Sequence, residues 1–183
     1  ATLRHRYLRS LDYCPIHLRA AEPNQTVDVP PHTLVVSVDL PAVPGTDLWI
    51  DHHRHTSAPD GTTLQIVKPH YPSCAAVVHG VLPEQVVLPF EEAILWAGLI
   101  DTSAYMTHPR ALWSNVPALQ LARALDHPDE QSEFACLLVR LLSDGQGNLA
   151  KVARHRCVRT RARRQLEALR DVAEELKKNS EVI

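Results

Sequence analysis

The feature that most constrains this chain is the run Thr33-Leu34-Val35-Val36-Ser37-Val38-Asp39, bounded by Pro31 and Pro41. It is rich in β-branched residues and almost continuously apolar. A strand covered on one face alternates apolar with polar residues. This one does not, so burial on both faces is expected, as in parallel sheets. A second apolar run, Leu48-Trp49-Ile50, ends at Asp51, and Gly61 to Val67 reads as a further strand. Pro72-Ser73 marks a helix start, with Ser73 as N-cap and Cys74 to Leu82 as the body. Phe90 to Ile100 reads as a helix with Glu91 and Glu92 in its first turn, where the dipole favours anions, and it stops near Asp101. Strands alternating with helices predict an α/β fold, a mainly parallel sheet flanked by helices.

The rest of the chain is more helical. Thr2 to Leu11 suits a helix, Ile16 to Ala20 a short strand, and Asn24 to Pro31 a loop. Residues 115–142 read as two helices around Asp126-His127-Pro128-Asp129, with an N-capping aspartate in the loop. Ser143 to Asn148 is a linker, and a long charged helix is expected from Leu149 to Lys178. The expected organisation is therefore a domain over 1–142, then the linker and helix over 143–183. In that helix, Arg154, Arg156, Arg159, Arg161, Arg163 and Arg164 fall within eleven residues. Two readings stay open: a phosphate-backbone stripe, or a solvated face with the pairs Arg163–Glu167 and Glu174–Lys178. Ala162, Leu166, Leu169, Ala173 and Leu176 keep a heptad for barely two repeats.

Composition narrows the function. At 183 residues the chain is one domain or one with an appendage, long enough to bury about 70% of its unfolded surface. A net charge of −2 excludes a histone-like basic protein. No run of 18 apolar residues spans a membrane, and the first ten residues lack the apolar segment of a signal peptide. Cys14, Cys74, Cys136 and Cys157 include no C-x-x-C spacing and read as reduced thiols of a cytoplasmic protein.

The chemistry is concentrated at two strand ends. Asp39 ends one strand, and twelve positions later Asp51 ends the next, followed by His52 and His53. Ligands of open parallel sheets sit beyond the carboxyl ends of the strands. If the strands are neighbours, these residues share one rim. Asp101, at a helix C-terminus where a lone carboxylate opposes the dipole, is a third acid in search of a partner. Carboxylate oxygen with imidazole nitrogen suits manganese, zinc or iron better than calcium. Arg54 and His55 follow directly and suit phosphate contact or a solvated loop. His70, His79 and His108 read as surface side chains, and Trp49, Trp96 and Trp113 as core or rim.

Three segments in order, Val35-Val36-Ser37-Val38-Asp39, Trp49-Ile50-Asp51-His52-His53 and Ala97-Gly98-Leu99-Ile100-Asp101-Thr102 with Tyr105, resemble the second, third and fourth motifs of the DHH phosphoesterase superfamily. The Pro72-Ser73-Cys74 helix start also fits. That family includes RecJ-like single-strand exonucleases, nano-RNases, cyclic dinucleotide phosphodiesterases and manganese pyrophosphatases. The resemblance implies a DHH-type domain that hydrolyses phosphodiester bonds of short or single-stranded nucleic acid. The divalent metal it implies is manganese, with magnesium the substitute. It implies that Asp39 bridges two ions, that His52 and Asp101 ligate one, and that Asp51 orients the histidines. His53 would contact the phosphate or protonate the leaving oxygen, with Arg54, His55 and Ser73 on the substrate side. Only 38 residues precede Asp39, and no D-x-D occurs. The expectation is thus a chain that starts past the family's first metal-binding motif, with a partner chain or a further segment completing the sheet. The glycine-rich motif of the family's substrate-binding domain is also absent, and the last helix reads as the stump of an interdomain helix. A catalytically incomplete module, serving as scaffold or nucleic-acid-binding partner, and a pyrophosphatase relative are the rival readings.

Overall fold

A computed structural model of the chain describes residues 31–42, 44–54, 64–107, 113–128 and 131–180. The expected elements before Pro31 lie outside these residues. Three short strands, β1 (Val36–Val38), β2 (Leu48–Asp51) and β3 (Leu64–Val67), form a parallel sheet in the order β1-β2-β3. Ser37 lies opposite Trp49, and Trp49 opposite Gln65. The β1–β2 connection is tied at both ends. Asp47 Oδ2 accepts from the Val35 amide at 2.8 Å, and the Val35 carbonyl accepts from Asp47 and Leu48. Beyond Val38 the Asp39 amide still donates to the Ile50 carbonyl at 3.0 Å, so Asp39 stays in register with the end of β2.

Burial on both faces of the first strand does not hold. Val36 and Val38 are each 45% exposed. β1 is the edge of the described sheet. Its inward face carries Ser37, whose hydroxyl hydrogen-bonds Thr46 Oγ1 at 2.8 Å. The buried strand is β2, where Trp49 and Asp51 alternate into the interior. Trp49 donates its indole N–H to the Leu40 carbonyl at 2.8 Å, as a buried indole must find an acceptor.

The helices are α1 (Cys74–Val81), α2 (Glu84–Val87), α3 (Glu91–Asp101), α4 (Pro117–Asp126), α5 (Gln131–Asp144), α6 (Leu149–Ala153) and α7 (Arg156–Ser180), with single 3₁₀ turns at Leu88–Phe90 and Ala104–Thr107. α1 starts where Ser73 Oγ accepts from the Ala76 amide at 3.2 Å, and it packs against β2 and α3. Gly98 lets α3 approach that start: a Cβ there would lie 3.3 Å from Pro72 Cγ. The main apolar cluster is helical. It joins Ala118, Leu121 and Ala124 of α4 to Phe134 and Leu138 of α5, Leu149, Val152 and Ala153 of α6, and Val158 and Ala162 of α7. Ala93, Trp96 and Ile100 of α3 pack against it, so α3 connects the sheet side to the helical side.

The long helix expected from Leu149 is two helices. The first ends at Ala153, and the His155 amide turns back to the Val152 carbonyl at 2.9 Å. The His155 carbonyl then accepts from Arg159 and opens α7. No glycine or proline marks this break. The preceding linker also ends in a cap, since Asn148 Oδ1 accepts from the Lys151 amide at 2.8 Å. Within α7 the pair Arg163–Glu167 forms at 3.7 Å. The heptad stripe is buried at Ala162 and exposed by Leu176. No helix among the described residues is long and apolar enough to cross a membrane.

Candidate metal centre

Alternation along β2 decides where the acids go. Trp49 faces inward, so Asp51 two residues on faces inward too, and it is fully buried. A buried carboxylate must be hydrogen-bonded. Asp51 Oδ1 accepts from the His52 amide at 2.6 Å, the His53 amide at 3.1 Å and the His53 ring Nδ1 at 2.8 Å. Burial pushes the Asp51 carboxyl up, but the bonds from His53 and His52 outweigh it and hold the group below the ordinary carboxylate range. The same ring bond raises His53 above the ordinary imidazole value, against a smaller opposing effect of burial. It also places the His53 proton on Nδ1 and leaves Nε2 for the outside.

His52 is held differently. Its Nδ1 lies 3.3 Å from the Tyr71 carbonyl, which can only accept, so that nitrogen carries the proton. Nε2 then faces the acids. It is buried and makes no hydrogen bond among the described residues, yet it lies 3.0 Å from Asp101 Oδ2 and 3.3 Å from Asp39 Oδ1. Two carboxylate oxygens this close to one imidazole nitrogen call for positive charge between them. Asp39 and Asp101 are brought there by β1 and by the last turn of α3. Asp39 has φ +62°, a left-handed conformation that aspartate tolerates better than most residues. Burial first, and the charge of Asp101 second, push the Asp39 carboxyl above its ordinary value.

Asp39, Asp51, His52 and His53 each offer a ligand atom within 4.8 Å of the others, and these four residues can hold a metal ion. Asp101 joins them through His52. The donors are carboxylate oxygens and imidazole nitrogens, with the buried His52 Nε2 among them. The ring centroids of His52 and His53 are 4.3 Å apart, so both imidazoles border the same point.

The other sequence candidates divide. Arg54 is exposed beside the cluster. His55 lies outside the described residues. Ser73 is 3% exposed and its hydroxyl caps α1, so it positions that helix. Asp51 accepts from both histidine amides and from the His53 ring, while the Tyr71 carbonyl holds the His52 ring. That carbonyl was not legible in the sequence. Cys74 was also missed. It is buried beneath the cluster, its thiol donates to the Ile50 carbonyl at 3.3 Å, and burial pushes it up to about 12.

Two expected outcomes follow from these environments. At pH 8 the Cys74 thiolate is about one part in ten thousand, against roughly a quarter for an ordinary thiol. Folded protein therefore leaves Cys74 unlabelled by a disulfide reagent such as DTNB, and labelling appears only with denaturant. Peptide mass spectrometry locates the label, and rapid labelling of Cys74 in the native state contradicts the burial. The second outcome concerns pH in metal-free protein. The raised His53 contributes stability that is complete below about 6.5 and is lost as pH rises through its folded value. The lowered Asp51 contributes stability present above about 3.9 and lost as pH falls through its folded value. The pair is thus fully stabilising only between those limits. Urea midpoints at pH 5.5 exceed those at pH 8.5, and Asp51→Asn shrinks that difference; an unchanged difference in the variant contradicts the pairing.

Comparison of the chain with protein-family models, curated proteins and solved structures gives no significant match.

Proposed function

We propose that the chain is a metal-dependent phosphoesterase core of the DHH type, acting on phosphodiester bonds of short or single-stranded nucleic acid, with manganese favoured and magnesium as substitute. The observation that carries this reading is His52, its ring held at Nδ1 by the Tyr71 carbonyl so that Nε2 stands between Asp39 and Asp101. It is supported by the order of the ligands: an acid after one parallel strand, Asp-His-His after its neighbour, and an acid ending a packed helix.

Asp39, His52 and Asp101 would hold the cation, with Asp39 the most exposed of the three. A bound divalent ion supplies Lewis-acid polarisation of a phosphoryl oxygen and acidifies water near neutral pH. Asp51 keeps His53 in one tautomer. His53 is half exposed, and its raised affinity for a proton suits it to protonate the leaving oxygen. Arg54, the next residue in the chain and exposed, would meet the phosphate.

The experiment is manganese-dependent release of mononucleotide from a short single-stranded oligonucleotide, with pyrophosphate as a parallel substrate. Asp39→Asn abolishes turnover, and His53→Ala lowers it by roughly 10²–10⁴-fold. Turnover of pyrophosphate alone reassigns the substrate. Tight manganese binding without hydrolysis of either substrate favours the non-hydrolytic module. That second reading has one observation behind it: the ligands among the described residues converge around a single point, whereas two-metal hydrolysis needs donors for two ions.

A further inference from the structure

α4 packs against α7, and alongside the first turns of α7 they leave a cleft of about 450 Å³. That volume is in the range of small-molecule sites. Arg123 of α4 and Arg156, Arg159 and Arg163 of α7 line it, and no aspartate or glutamate is among its described lining residues. Nothing in it is shared with the metal cluster.

The placement of this charge works against folding. The N-terminus of a helix carries the positive end of its dipole, and cations there are unfavourable. α7 begins with Arg156 and Arg159 and has no acid in its first turn. Neither arginine forms an ion pair among the described residues. Arg163 Nε is 3.7 Å from Glu167, but both side chains are well exposed, and such pairs contribute little. Arg123 is 6% exposed, with Nη2 donating to the Ser114 carbonyl at 2.5 Å, so a guanidinium is built into the wall. Arg161 on the same helix shows the contrast. It donates to the Ala124 and His127 carbonyls at 3.0 and 2.7 Å and lies 4.3 Å over the Phe134 ring, so packing accounts for it. Packing does not account for Arg156 and Arg159, which are exposed at the cleft. An anion in the cleft would offset the positive charge gathered at the start of α7 and use the helix dipole. Guanidinium forks match phosphate oxygens two at a time.

We propose that this cleft binds the phosphate backbone of a single-stranded nucleic acid, as a holding site separate from the metal centre. The choice of nucleic acid among phosphate carriers rests on the phosphoesterase reading above. Arg156, Arg159 and Arg163 follow i, i+3, i+7 spacing, so one face of α7 meets the strand, and Arg123 closes the cleft from α4.

The test uses fluorescence anisotropy of a short labelled oligothymidylate with the full chain, in EDTA so that metal plays no part. Arg156→Gln/Arg159→Gln weakens binding by about tenfold or more. It also lowers the slope of log K against log salt by about 1.4, from ~0.7 per lost phosphate contact. Arg164→Gln/Arg170→Gln removes the same charge from exposed positions of α7 outside the cleft, and it changes binding by less than about twofold. His52→Ala leaves this binding unchanged, while the cleft variant keeps wild-type manganese titration and circular dichroism. Failure of the phosphoesterase reading would show in manganese binding and turnover, and failure of the cleft in the anisotropy series. Equal losses in the cleft and control variants, or no oligothymidylate binding by wild type, overturn the proposal. So does competition by polyglutamate, which would mark an acidic protein as the occupant, or by inorganic phosphate at the oligothymidylate's own concentration, which would mark a free-phosphate site.

Discussion

Replacing His52 with alanine lowers manganese affinity by more than about 100-fold, while replacing His53 leaves it nearly unchanged. The two rings are adjacent in sequence and stacked at a tilt, but their inner nitrogens meet different partners. His52 donates to a backbone carbonyl and turns Nε2 toward Asp39 and Asp101. His53 spends its Nδ1 proton on Asp51, and that nitrogen is 4.0 Å from Asp39. Asp51→Asn falls between them. Partners that orient a ligand without binding the ion themselves are worth roughly 10–100-fold in affinity, and Asp51 fixes the backbone turn that delivers both histidines. The order His52→Ala, then Asp51→Asn, then His53→Ala is read by isothermal titration with manganese. Equal losses for the two histidines would show that both ligate the ion. Binding should also weaken as pH falls through the raised Asp39 range, because the ion and the proton compete for one carboxylate.

The rim was legible because it obeys a local rule. Acids at the ends of two apolar runs meet only if the runs pair in parallel, and Val38 lies opposite Ile50. The start of α1 was legible because Ser73 follows a proline and precedes apolar residues, and the end of α3 because Asp101 closes a strong helix. The illegible parts rest on main chain or on context. The Tyr71 carbonyl that sets the His52 tautomer has no side-chain signature. The exposure of Val36 and Val38 depends on what covers an edge strand, and β-branched residues read the same on either face. The break at Arg154–His155 is made by backbone hydrogen bonds in a run with no glycine or proline. The arginines of α7 looked uniform in sequence. Only packing separates Arg161, which is spent on carbonyls and an aromatic ring, from those that line the cleft.

Gly147→Ala unfolds the protein at markedly lower temperature and weakens manganese binding, although residue 147 is in a turn between α5 and α6. Its φ of +73° is in the left-handed region, where a Cβ costs about 1–2 kcal/mol. The larger effect is contact. A Cβ at 147 would lie 2.4 Å from the Pro89 carbonyl oxygen and 2.9 Å from Phe90 Cα. These are backbone atoms, which cannot rotate away, so either the turn or the 3₁₀ segment must move. Phe90 immediately precedes α3, and α3 ends at Asp101. Displacing its start therefore reaches the carboxylate that faces His52. Together the strain and the clash give about 3 kcal/mol, or roughly 6–12 °C in Tm for a chain of this size. Gly45→Ala is the control, since its φ is +85° and nothing lies within 4 Å of the added Cβ. That variant carries the backbone strain alone, loses about 1–2 kcal/mol, and binds manganese as the parent does. Thermal unfolding and metal titration of both variants separate the two effects. A Gly147→Ala protein no less stable than Gly45→Ala would mean that the α5–α6 turn yields freely, and that α3 is not held in place from this side.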